Sequence, residues 1–284
     1  MALVFVKSVA VRILELKSRR IILRHTNGFE VVLAYGGIIG KEHGMGQAVR
    51  AKSETREVEI QSAQVTLTGE LTIPASSPGV VLFAHGSGSS RHSPRNQFVA
   101  QTIRKAGLGT FLFDLLTPEE EAIDNYSRHL RFDIQLLAER LVNATSWLKG
   151  EFDHLHVGYF GASTGAAAAL VAAAELGQIV RAVVSRGGRP YLAADSLPLV
   201  KAPTLLIVGG LDYPVIEMNQ DAYAQLRCEK EVEIVPGATH LFEEPGALEK
   251  VAQLAAAWFQ KHLGRDRTAA KTLSEVGGDE HNAS

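Results

Sequence analysis

Cysteine is almost missing from this chain, which has one, Cys228, in 284 residues. A single thiol excludes an internal disulfide and any multi-cysteine metal site, and it fits a reducing compartment. Cys228 sits in the polar run Arg227-Cys228-Glu229-Lys230, the setting of a bystander thiol rather than a reactive one. An excess of one charge is lacking too. With 29 basic and 31 acidic residues the formal net charge is -2, so the electrostatic footprint of a nucleic-acid or acidic-membrane binder is missing. Long apolar runs are also lacking: Lys7, Arg12 and Glu15 interrupt the stretch Ala2 to Leu16, which suits neither a signal peptide nor a spanning helix. These absences point to a cytoplasmic protein with a small-molecule partner and no nucleic-acid or membrane partner, and they leave the oligomeric state open.

What is present is ample material for a core, with 46% hydrophobic and 21% charged residues. Three regions separate. Residues 1–53 form an extension with a hairpin signal, in which Arg20 to Leu23 and Phe29 to Leu33 flank Asn27-Gly28, followed by a linker-like glycine-rich stretch from Gly36 to Gly46. Residues 54–264 form a strongly patterned body. Residues 265–284 are a polar tail with too little apolar surface to fold, and disorder is expected there.

Within the body, strand-length apolar runs alternate with helical patterns, the signature of an α/β domain with a mostly parallel, doubly wound sheet. The runs are Val80 to Ala84, Thr110 to Phe113, Leu155 to Phe160, Val180 to Val184 and Thr204 to Val208. Glu57 to Glu59 and Val65 to Ile73 start the sheet as an antiparallel hairpin, and Glu231 to Val235 alternates like an edge strand. Ser93-Pro94 opens a helix that Gly107 closes. Leu130, Ile134, Leu137, Leu141 and Leu148 mark a second helix, and Leu248, Val251, Leu254, Ala255 and Trp258 mark the last. Such a fold binds its ligands beyond the carboxyl ends of the strands.

The run Leu155 to Phe160 leads into Gly161-Ala162-Ser163-Thr164-Gly165, and an alanine-rich helix follows at once. Strand, G-x-S-x-G, helix is the context in which a serine is held exposed in a tight turn and the flanking glycines remove colliding side chains. The helix N-terminus then aims N–H groups at the oxyanion that attack by Ser163 creates. The motif alone arises by chance, so its setting carries the assignment.

A serine nucleophile needs a base and a carboxylate, and this architecture supplies them in the order serine, acid, histidine. Asp212 follows Thr204 to Val208 in Gly209-Gly210-Leu211-Asp212, and His240 follows the edge strand in Pro236-Gly237-Ala238-Thr239-His240. Asp212 is also placed to cap the helix beginning near Val215. Glu243 and Glu244 are substitute acids, and Asp114 is a weaker one because it precedes the serine. The N–H of Thr164 with one from Gly86, Ser87 or Gly88 is the expected oxyanion hole. A phosphate cradle is disfavoured in that loop because G-K-[ST] is missing. Arg91, Arg95, Arg186 and Arg189 are expected to project toward the catalytic face, where guanidinium groups bind carboxylates. Pairing with Glu119 to Glu121 or with Asp195 is their alternative use.

Together, Gly161 to Gly165, Asp212, His240 and a body with no large lid resemble the dienelactone hydrolase-like branch of the α/β-hydrolases over about Glu57 to Leu263. His85 to Asn96 and Pro236 to Glu243 are similar to stretches of bacterial members, some fused to phosphoribosyltransferases. The resemblance implies an α/β-hydrolase fold and a cofactor-free, metal-free hydrolysis of a small ester, lactone or thioester, with an arginine-bound anionic substrate. The founding enzymes use a cysteine where this chain has Ser163, which argues against true dienelactone cleavage. Two further expectations stand beside hydrolysis: acyl transfer by the same triad, or a hydrolase-fold scaffold for a phosphoribosyltransferase-like partner.

Overall fold

The computed structural model describes four strands in residues 1–50 and the continuous stretch 54–264. Strands β1 (Leu3–Val6), β2 (Val9–Leu16), β3 (Arg20–Arg24) and β4 (Glu30–Ala34) form an antiparallel sheet in that order, as a unit of its own. β3 and β4 pair from Arg20↔Ala34 to Arg24↔Glu30 on either side of Asn27-Gly28. The stretch Gly36 to Gly46 and the tail 265–284 lie outside the described residues.

The body is built on β5 (Glu54–Ser62), β6 (Val65–Ile73), β7 (Gly79–Ala84), β8 (Gly109–Phe113), β9 (His156–Ala162), β10 (Val180–Arg186), β11 (Thr204–Gly209) and β12 (Lys230–Val235). Their order is β12-β11-β10-β9-β7-β8-β6-β5. β6 runs antiparallel to both of its neighbours, and every other pairing is parallel. This is the expected α/β-hydrolase sheet. The chain winds outward in one direction after β7 and in the other after β9, so the crevice beyond these two strands is the topological switch point.

The strands are apolar throughout because both faces are covered. Alternate residues feed two cores: Val80, Leu82 and Tyr159 join Leu141, Leu148 and Ala168 on one side, while Val81, Phe83 and Phe160 join Val99, Val251 and Phe259 on the other. The first core is roofed by α3 (Ile134–Glu151) and α4 (Thr164–Leu176), the second by α1 (Pro94–Lys105) and α6 (Ala247–Leu263). α5 (Tyr213–Gln225) follows β11. Between β10 and β11 the chain carries only a 3-10 segment, Pro190–Leu199, and no large lid. Among the described residues no helix is long and apolar enough to cross a membrane.

Two helical expectations need correction. α1 starts as expected, with Ser93 accepting the Asn96 N–H and Pro94 in the first turn. Leu130, however, belongs to a separate 3-10 turn, Leu130–Phe132, because Asp133 accepts the Leu136 N–H and caps α3 there. A helix absent from the sequence reading, α2 (Pro118–Ser127), precedes that turn. Its apolar residues do not reveal it, since Ile123 and Tyr126 are exposed and Asp124 is its buried residue. Polar ties hold it instead: Thr117 and Glu120 form a capping box, and Glu120 receives both Arg140 terminal nitrogens at 2.5 Å. Arg140 also donates to the Leu115 carbonyl at 2.7 Å, and Asp124 pairs with Arg131 while accepting the Leu130 N–H at 2.8 Å.

The Arg140 hydrogen bonds hold the Glu120 carboxyl below its ordinary range, against the opposing effect of burial. A depressed native pKa stabilises the fold above the unfolded value of about 4.5, and that increment disappears as pH falls through the native value. Glu120→Gln is therefore expected to lower stability by about 1 kcal/mol at pH 7, a modest figure because solvent reaches the pair. The gap from wild type, measured by thermal denaturation, should close below pH 4. A gap of constant size from pH 7 to pH 3 would contradict the assignment.

Candidate active site

Ser163 leaves β9 with φ 51° and ψ -117°, a region that costs a non-glycine residue about 1–3 kcal/mol. Its surroundings enforce the conformation. The Ser163 N–H donates to the Arg186 carbonyl at 3.2 Å, and its own carbonyl accepts from Ala166 and Arg189, each at 3.2 Å. The flanking glycines are required by contact: a Cβ at Gly161 would lie 2.4 Å from the Ala166 Cα, and one at Gly165 would lie 2.2 Å from the Ala84 carbonyl oxygen. Helix α4 can start at once and lie against the sheet only because both positions lack side chains.

His240 and Asp212, the candidate base and acid, follow neighbouring parallel strands. β11 and β12 pair through Gly209↔Val235, and the Leu211 N–H donates to the Ala238 carbonyl at 2.9 Å. This joins the two loops. The Asp212 Oδ2 stands 2.6 Å from the His240 Nδ1. Asp212 occupies the N-cap position of α5, yet its side chain makes no capping hydrogen bond. The carboxylate is given to the imidazole instead, which fixes the proton on Nδ1 and leaves Nε2 as the acceptor. Gly187, at φ +52°, lets the chain pass beneath the ring, where a Cβ would be 3.4 Å from the His240 Cε1. Ser163 and His240 line one cavity of about 240 Å³. The substitute acids are engaged elsewhere: Asp114 pairs with Arg91, Glu243 with Arg95 at 3.0 Å, and Glu244 accepts from Thr239 at 2.5 Å.

The loop after β7 lies directly against Ser163, since a Cβ on Gly86 would sit 3.2 Å from the Ser163 Cβ. The Ser87 N–H donates to the Thr164 Oγ1 at 3.1 Å, so this one of the three candidate oxyanion donors is already committed. Gly86 and Gly88 remain beside the Thr164 N–H. His85 anchors the loop from below. Its Nε2 accepts the Leu115 N–H at 3.0 Å, which places the proton on Nδ1, 3.1 Å from the Gly86 carbonyl. Burial lowers the His85 pKa, with the Gly86 carbonyl and Asp114 opposing, so the ring is a neutral structural tie.

The four arginines have different placements. Arg91 does not line the catalytic cavity; it pairs with Asp114, which also accepts its backbone N–H at 2.7 Å, and lies 3.7 Å from Glu57. Asp114, which follows β8, holds it there, so the expected projection of Arg91 into the site of Ser163 is not seen. Arg95, Arg186 and Arg189 do line the cavity. Arg186 is 8% exposed, its Nε and Nη1 have no hydrogen-bond partner, and its guanidinium lies 5.9 Å from the Phe242 ring centroid. Burial, then the charge of Arg95, lowers its pKa to about 10, so it remains a cation at neutral pH.

Sequence reasoning missed a second, larger cavity of about 480 Å³ that shares Gly86, Ser87, Ser89 and Arg95 with the first. Glu121 and Asn125 of α2 form part of its wall. The signal that would have found this wall is Thr117-Pro118-Glu119-Glu120, a capping box with proline in the first turn. Among the described residues no set of three His, Cys, Asp or Glu side chains gathers as a metal site.

Gly165→Ala tests the packing around Ser163. The added methyl meets backbone rather than a movable side chain, so a loss of about 2 kcal/mol or more is expected in urea denaturation. Gly150→Ala in α3, where a Cβ meets nothing within 4 Å, should gain about 0.5–1 kcal/mol. Wild-type stability of Gly165→Ala would contradict the packing argument.

The segment 67–263 matches the model of the dienelactone hydrolase family. A crystal structure of a dienelactone hydrolase from Anabaena variabilis is 61% identical and superposes with a TM-score of 0.73, over 74% of this chain and 98% of that one. Est1E from Butyrivibrio proteoclasticus, 15% identical, shares the fold with a TM-score of 0.61 over 72% of this chain and 98% of its own. A Mycobacterium tuberculosis protein, carried under the provisional name of a phosphoribosyl transferase, is 59% identical over 209 residues. That match takes in 73% of this chain and 46% of the relative, so the chain matches about half of that relative's length. A family match that takes in residues 67–263 leads to one conclusion: this chain belongs to the dienelactone hydrolase family and is an α/β-hydrolase enzyme.

Proposed function

We propose that the enzyme hydrolyses small esters, lactones or thioesters through an acyl-enzyme on Ser163. The observation that carries this reading is the 2.6 Å contact between the Asp212 carboxylate and the His240 Nδ1, in a histidine that shares a cavity with Ser163. The His240 Nε2 takes the Ser163 hydroxyl proton as Oγ attacks the carbonyl carbon. Asp212 stabilises the imidazolium that results. The Thr164 N–H and the backbone N–H of Gly86 or Gly88 receive the oxyanion, aided by the N-terminus of α4. The imidazolium returns its proton to the leaving oxygen or sulfur. Water, deprotonated by His240, then attacks the acyl carbon and releases the acid.

Arg186 supports an anionic substrate. A buried guanidinium with two unpartnered nitrogen positions is costly unless an anion completes it, and the cavity is where a substrate carboxylate would do so. A phosphoribosyltransferase-like partner is the second reading, favoured by the name of the M. tuberculosis relative and by the length of that protein beyond the match.

Ser163→Ala is expected to reduce turnover of p-nitrophenyl acetate by at least about 10³-fold, and Asp212→Asn by roughly 10²- to 10⁴-fold. Wild-type activity in Ser163→Ala would refute the assignment. For Arg186, acetylsalicylate and phenyl acetate form the test pair, because they differ by a carboxylate on the leaving group. Arg186→Leu should lower kcat/KM for acetylsalicylate about tenfold more than for phenyl acetate. An equal effect on both would remove the anionic preference.

A further inference from the structure

The larger cavity has a definite relation to the chemistry. It borders the Gly86–Ser87 loop and Thr164 but touches neither Ser163 nor His240. A leaving group must contact His240, which protonates it. With the carbonyl oxygen directed at the Thr164 N–H, the remaining substituent of the reacting carbon is the acyl chain. The larger cavity shares Gly86, Ser87, Ser89 and Arg95 with the cavity of Ser163 and adjoins it there, so it is a space into which that chain can extend.

Its lining restricts what that chain can be. Leu115, Leu116 and Leu137 give it an apolar floor. Arg131 is paired with Asp124, and Arg95 with Glu243 at 3.0 Å, so the cations in the wall already have carboxylate partners. Among the described residues the Glu121 carboxyl has neither a hydrogen bond nor an ion pair, and Asn125 uses only its oxygen, which accepts from Arg131 at 3.4 Å. Ser89 and Ser90 line the same space, and the Ser90 hydroxyl accepts the His92 N–H at 3.3 Å. A second anion would meet Glu121 and Asp124, and a plain alkyl chain would cover these polar groups without satisfying them. Burial, with the charges of Asp114 and Asp124, raises the Glu121 pKa against the effect of Arg131, as expected of a carboxyl lacking a close cation.

We propose that this chamber is the acyl subsite and takes an acyl group bearing several hydroxyls, as in the ester or lactone of a polyhydroxy acid. Glu121 and Asn125 hydrogen-bond the hydroxyls, and the three leucines pack against the carbon backbone. The proposal rests on the Ser163 hydrolase reading, because it takes its orientation from the histidine and the oxyanion loop. It adds a substrate class and a specificity residue, Glu121, to that reading.

The test compares methyl D-gluconate with methyl hexanoate, two esters with six-carbon acyl chains, by pH-stat titration with methyl acetate as the reference. The wild type is expected to favour gluconate over hexanoate at least about tenfold in kcat/KM. Glu121→Leu should lower that ratio about tenfold, mainly through KM, and Glu121→Gln, which keeps an acceptor, should retain most of it. A loss of folding would lower both rates and leave the ratio unchanged, so the ratio isolates recognition. Equal use of the two esters by wild type, or a ratio unchanged in Glu121→Leu, would overturn the proposal while methyl acetate turnover leaves the hydrolase reading standing. Loss of methyl acetate turnover itself would overturn both.

Discussion

The backbone of Ser163, at φ 51° and ψ -117°, is held there by close packing on both sides. Gly161 lets α4 turn back onto β9, and Gly165 lets that helix approach the end of β7. Everything else in the site is measured from this turn. The Ser163 N–H is tied to the carbonyl of Arg186, which brings the end of β10 and its buried guanidinium beside Ser163. The Thr164 hydroxyl receives the Ser87 N–H and fixes the loop after β7. The strain is sustained because the parallel sheet, buried on both faces, gives the turn no cheaper place to relax.

Polar groups in the site are arranged so that few are left without a partner, and the exceptions are informative. His85 is neutral and satisfied at both nitrogens. Asp212 leaves its helix-capping role unfilled in order to face His240. Arg91 is neutralised by Asp114 and lies outside the cavity. Arg186, the one buried arginine of the four, leaves two side-chain nitrogens unpartnered in the cavity wall, and Arg95 beside it leaves its Nε so.

The sheet was legible in the sequence because a strand buried on both faces must read as a short apolar run, and the runs from Val80 to Val208 match β7 to β11 closely. Ser163 was legible through its strand-turn-helix setting. Asp212 and His240 were legible through chain order, since each follows a strand whose carboxyl end meets the same crevice. α2 was not visible by periodicity, because hydrogen bonds to Thr117, Arg140 and Arg131 hold it rather than an apolar face. Glu121, Asp124 and Asn125 of the larger cavity's wall were hidden with it. The fate of Arg91 was equally hidden, since it depends on a carboxylate 23 residues away that only the pairing of β7 with β8 brings alongside. The sequence pattern reports burial well, whereas partner choice among charged side chains depends on the assembled fold.

The central claim is that Ser163 is a nucleophile activated by His240 and oriented by the strained turn. Intact-mass analysis after treatment with a fluorophosphonate probe addresses it most directly. The account predicts one adduct per chain, located on Ser163 by peptide mapping and formed far more slowly in His240→Ala. A folded wild-type protein that takes up no probe, or an adduct located on another residue, would contradict it.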